Sequence, residues 1–96
     1  MRIERFLHKG LKKLFLEDST KGLPAEAVDK LRKMLAFLQE MNSEDELEGI
    51  PVWKAHRLTG NRKGVWSLHV TRNWRLTFWI DGGSKEIRDV NLEDYH

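Results

Sequence analysis

The chain has 96 residues, 40% apolar and 33% charged, with a formal net charge of +2 and no cysteine. That length supports one domain with a single core, spanning residues 1–96, and the balance is that of a folded chain. Without thiols a disulfide scaffold, a zinc–thiolate site and thiol catalysis are excluded, and a reducing cytosol suits the composition.

The first segment, "RIERFL" at 2–7, reads as a short strand or lead-in. From Lys9 to Asp18, Leu11, Leu14 and Phe15 recur at helical spacing, and "STKGLP" then interrupts the pattern. Pro24 suits the first position of a second helix, where its missing N–H would have no partner. That helix runs to about Asn42, with Val28, Leu31, Met34, Leu35, Leu38 and Met41 forming one stripe to bury. The apolar run "MLAFL" at 34–38 is far too short to span a membrane, and the charged "MRIERFLHKG" lacks the apolar stretch of a secretory signal. Ser43 and Glu46 have capping-box spacing, so a further helical turn is expected before Gly49 and Pro51.

After Pro51 the apolar period changes to two. "WKAHRL" at 53–58 is a weak strand candidate, whereas "VWSLHVT" and "WRLTFWI" alternate clearly. Trp66, Leu68 and Val70 form the apolar set of one strand, and Trp74, Leu76, Phe78 and Ile80 that of the next. Both sets are even-numbered. Pairing Val70 with Trp74 and Leu68 with Leu76 leaves a three-residue loop, Thr71–Asn73, and sets His69 opposite Arg75 on the polar face. "DGGSK" at 81–85 is a turn. In the following "EIRDVNL", Ile87 and Val90 are out of phase, which predicts a bulge. The expected architecture is α+β, two N-terminal helices packed on a small antiparallel sheet of about four strands.

Charge is unevenly spread. Between Trp53 and Arg75 lie Lys54, Arg57, Arg62, Lys63, Arg72 and Arg75, with His56, His69 and three tryptophans and no acid. A basic, aromatic surface of this kind favours a polyphosphate backbone and stacked bases. A solvated sheet face over core aromatics is the alternative. Metal-free RNA cleavage needs a base for the 2′-OH, an acid for the departing 5′-oxygen and cations for the phosphate. His56, His69, Arg75 and the terminal Asp94, Tyr95 and His96 supply those groups. The histidines show no metal-ligand spacing, and no phosphate loop or dinucleotide fingerprint occurs, so neither metal nor cofactor is expected.

With "HRLTGNRKG", "WSLHVTRNWRLTF" and the ending "DYH" in view, the chain resembles the HigB toxins of the RelE/ParE superfamily over nearly its whole length. The resemblance implies a RelE-like fold and the toxin of a type II toxin–antitoxin pair, a cytoplasmic endoribonuclease that enters the ribosomal A site and cuts the translated mRNA. It implies 2′-OH attack leaving a 2′,3′-cyclic phosphate, and a helix-turn-helix antitoxin of the HigA type that masks the toxin and carries it to operator DNA. No cofactor and no membrane are implied.

By the same resemblance His56, Asp94, Tyr95 and His96 are the catalytic set. Arg75 matches the arginine of the family's "NWR" segment and is expected to hold the phosphate. From the basic patch itself His69 is expected to join it, with Arg57, Arg62, Lys63 and Arg72 as further RNA contacts. Two positions depart from the family's pattern. Thr59 stands where relatives often have the lysine of "LKG", and His69 where they often have the arginine of "SIRV". Both remove a permanent cation, which implies a weaker or differently tuned nuclease. ParE-like relatives that poison gyrase share the architecture, and a non-catalytic nucleic-acid-binding or decayed toxin is the other alternative.

Overall fold

The computed structural model describes residues 1–95, so His96 lies outside the described residues. The chain runs β1 (Arg2–Ile3), α1 (Lys9–Glu17), α2 (Val28–Glu40), β2 (His56–Arg57), β3 (Trp66–His69), β4 (Trp74–Asp81) and β5 (Glu86–Asp94). Both helices bury one apolar stripe, Leu11 and Leu14 from α1 and Leu31, Met34, Leu35 and Leu38 from α2. These meet Leu68, Val70, Leu76, Phe78, Ile87, Val90 and Leu92 of the sheet in one core. Burying side chains of this size contributes roughly 1.5–3 kcal/mol each, which fixes the helices to that face. The opposite face is left open.

Pro24 does not begin α2 directly. A 3-10 turn at Ala25–Ala27 follows it, and the α-helix starts at Val28 and stops at Glu40. The capping box forms as expected, with Glu46 accepting from Ser43 N–H at 2.9 Å and the Ser43 hydroxyl accepting from Asp45 N–H at 3.3 Å.

The sheet order is β1-β5-β4-β3-β2, with five strands where about four were expected. The additional strand, β1, lies parallel to β5, so the sheet is mixed and not wholly antiparallel. Two residues are too few to show an alternating pattern, and β1 is held chiefly by backbone bonds, Arg2 N–H to Lys85 O (3.0 Å) and Glu4 N–H to Ile87 O (2.8 Å). Strand β2 is equally short, because Pro51–Trp53 form a 3-10 turn and Lys54 adopts φ 48° before the chain extends.

The β3–β4 hairpin has the expected register, Leu68 opposite Leu76 and His69 opposite Arg75. The bulge also forms. Thr77 faces Asn91 while Trp79 faces Arg88, so Asp89 (φ 56°) and Val90 together oppose Phe78. This extra residue turns Val90 and Leu92 to the core and leaves Asn91 and Glu93 on the open face with Arg75 and Thr77.

Gly64, at φ 95°, brings the backbone against Trp79, and a Cβ there would lie 2.8 Å from the indole ring. Gly64→Ala is therefore expected to destabilise by about 2 kcal/mol or more, while Gly82→Ala, with open space around it, should be far milder. Urea unfolding measures both, and equal effects would contradict this packing.

His8 caps α1, its Nδ1 accepting from Leu11 N–H at 3.2 Å, and burial holds its imidazole below the usual histidine value. The unfolded chain then takes up the proton first as pH falls below about 6.5, so stability is full above that pH and is lost through the window beneath it. His8→Asn keeps a capping oxygen and should flatten part of that loss in thermal melts between about pH 5 and 7. An unchanged slope would contradict it.

Candidate active site

Two rows of side chains cross the open face. In one, His69 on β3 lies beside Arg75 on β4 and Arg75 beside Glu93 on β5; in the other, His56, Ser67, Thr77 and Asn91 are successive neighbours. Ser67 and Thr77 are 4% exposed and form a buried polar floor. Above it is a cleft of about 450 Å³ lined also by Lys54, Arg62, Asp94 and Tyr95.

His56 is exposed, with Nδ1 2.8 Å from the Lys54 carbonyl oxygen. A carbonyl only accepts, so Nδ1 carries the hydrogen and Nε2 of the neutral ring keeps a lone pair for an incoming proton. This geometry depends on the tight turn before β2, which is braced by Trp53 packing edge-on against Phe37 of α2 at 5.2 Å.

Arg75 organises the other side. One guanidinium nitrogen donates to Thr71 O (2.8 Å) and Trp74 O (3.0 Å), closing the hairpin loop. Its Cζ lies over the Tyr95 ring, 4.0 Å from the ring centre. Tyr95 N–H donates to Asn73 O at 2.7 Å, so the chain end is docked on the hairpin up to this residue. A cation over a ring contributes roughly 0.5–2 kcal/mol, enough to hold the tyrosine in place while its hydroxyl end stays accessible.

His69 titrates below the usual value, through burial first and then the nearby Arg75, Lys54 and Lys30 charges. It is thus a neutral imidazole at pH 7, poised to gain a proton if an anion enters. Glu93 accepts from both terminal guanidinium nitrogens of Arg62, from Nη1 at 2.7 Å, and from the Thr77 hydroxyl. The Arg62 contact holds its carboxyl below the usual carboxylate range despite partial burial.

The structure thus brings His56, His69, Arg75, Arg62, Asp94 and Tyr95 into one cleft. Arg57, Lys63 and Arg72 do not line it. Arg57 pairs with Glu44 at 2.6 Å and stacks over Trp66 at 5.2 Å; Lys63 and Arg72 are exposed on loops. Sequence reasoning missed Lys54 and Glu93 as members of the site. The out-of-phase residues of β5 were the available signal for Glu93, since the bulge decides which face it takes.

The fold defines a class of small α+β proteins, shared with solved proteins of toxin–antitoxin complexes. YafQ from E. coli matches with a TM-score of 0.62 at 22% identity, covering 98% of this chain and 93% of that one. The YoeB–YefM complex from Staphylococcus aureus matches with a TM-score of 0.60 at 21% identity, covering 100% of this chain and 99% of that one. Within that class, residues 4–96 match the model of the RelE-like toxin of the type II toxin–antitoxin system HigB, and the chain belongs to this family. It is 42% identical over 94 residues to the endoribonuclease HigB of Proteus vulgaris, covering 98% of this chain and 99% of the relative. It is 32% identical over 79 residues to the toxin HigB-1 of Vibrio cholerae, covering 80% and 83%.

Arg75→Lys keeps the charge but removes the planar stack and the fork of donors. The Tyr95 amide should then exchange its hydrogen faster, by about tenfold if roughly 1.4 kcal/mol of local stability is lost. Unchanged exchange would show that Arg75 does not hold the tail.

Proposed function

We propose that this toxin is a cytoplasmic, ribosome-dependent mRNA endoribonuclease whose own side chains move the protons. The carrying observation is the convergence of His56, His69, Arg75, Asp94 and Tyr95 around one open cleft. The name of the Proteus vulgaris relative supports the activity.

In this reading Nε2 of His56 takes the proton of a 2′-OH, and that oxygen attacks the adjacent phosphorus. The bond to the 5′-oxygen breaks, and His96, assisted by Tyr95, protonates the leaving group. Asp94 is assigned the positioning of an imidazole. Arg75, Lys54 and His69 hold the charge that builds on the phosphate, and the anion favours the protonated form of His69. The products are a 2′,3′-cyclic phosphate and a 5′-hydroxyl. His69 in place of a permanent cation makes phosphate binding stronger at lower pH. The partner is a helix-turn-helix antitoxin of the HigA type, in line with the toxin–antitoxin complexes among the structural relatives.

In a translating extract the wild-type chain should cut mRNA, and His56→Ala should lower the cleavage rate by about 100-fold or more. Residues appended after His96 should do the same. Full cleavage by either variant would overturn the assigned roles. Arrested DNA supercoiling with intact mRNA would instead support a gyrase-directed toxin.

A further inference from the structure

Beyond the Arg62–Glu93 pair the open face continues into a second concavity of about 270 Å³. The two clefts share Arg62, Thr77 and Glu93 as a common ridge. Trp79, Leu7, Asn61 and Asn91 line the far side. Trp79 lies on the same face as Arg75, four residues along β4 and therefore about 13 Å away.

Three features of this second cleft suit a nucleobase. First, Trp79 is 42% exposed, yet its ring is braced against the Gly64 backbone. It is a rigid platform, not a loose side chain, and aromatic platforms of this kind stack bases. Second, Asn91 uses its side-chain oxygen to accept from Leu92 N–H at 3.0 Å, leaving its NH₂ to donate to a base acceptor. Third, the carboxylates nearby are already neutralised, Glu93 by Arg62 and Asp89 by Arg5 at 2.5 Å. A passing phosphate backbone therefore meets no unpaired negative charge from these two groups.

We propose that this second cleft is a nucleobase subsite, in which Trp79 stacks a base of the same single-stranded RNA a short distance along the strand from the phosphate at Arg75. The inference rests on the ribonuclease reading of the first cleft and deepens it. The Arg62–Glu93 ridge separates the two binding positions, and Trp79 makes affinity depend on the length of single strand bound. Leu7, 59% exposed, closes the cleft with an apolar wall beside the base.

The test uses the wild-type chain with a fluorescent 2′-O-methyl hexanucleotide, which cannot supply the attacking hydroxyl, and a 2′-O-methyl dinucleotide confined to the first cleft. Trp79→Leu should weaken hexanucleotide binding about tenfold and leave the dinucleotide unchanged, while Trp79→Phe should keep most of the affinity. Removing single bases from the hexanucleotide should reproduce the tenfold loss at one position with the wild-type chain, and cause no further loss with Trp79→Leu. This arm needs no variant to fold for its first half. Equal binding of the hexanucleotide to wild type and Trp79→Leu, or no sensitive base position, would overturn the subsite. If Arg75→Ala leaves both oligonucleotides bound as tightly as before, the ribonuclease reading fails and the subsite with it.

Discussion

One extra residue in β5 decides which groups reach the open face. Asp89, held at φ 56°, lets two residues oppose Phe78, and every later side chain of the strand changes sides relative to an unbulged ladder. Val90 and Leu92 then join the core, and Asn91 and Glu93 stand beside Thr77 and Arg75. The helices seal the other face, so the groups proposed to be catalytic sit on a surface backed by the core. Asp94 and Tyr95 follow in the same register and arrive next to the β3–β4 hairpin.

The cleft's charge is arranged as carefully as its shape. Arg75 is fixed by loop carbonyls and by Tyr95, so its position does not depend on substrate. Arg62 is fixed by Glu93, and Lys54 lines the same cleft as His56. His69 is kept neutral by burial and by its cationic neighbours. A phosphate entering this environment meets donors already in place, and it relieves repulsion among groups that would otherwise resist being charged together.

Much of this was legible in the residues. The even-numbered apolar sets gave the hairpin register and the His69–Arg75 pairing without any structure, because the side-chain period of a strand is two. The stripe from Val28 to Met41 gave the long helix. What escaped has physical causes. Strands β1 and β2 have two residues each, too short for any period, and the parallel pairing of β1 rests on backbone bonds that carry no side-chain signature. Arg57 looked like a nucleic-acid contact from its basic surroundings, yet its partners Glu44 and Trp66 come from segments remote in sequence or across the sheet. Composition finds where cations are dense; only packing tells which of them are already paired.

The central claim is that this cleft cuts RNA by in-line attack of a neighbouring 2′-oxygen. The chemistry of the new ends tests it most directly. Messenger RNA recovered from ribosomes exposed to the toxin should carry 5′-hydroxyl ends, labelled by polynucleotide kinase without prior phosphatase, opposite 2′,3′-cyclic or 3′-phosphate ends. Fragments bearing 5′-phosphate and 3′-hydroxyl ends would contradict the account, because attack by water, not by the 2′-oxygen, would have made the cut.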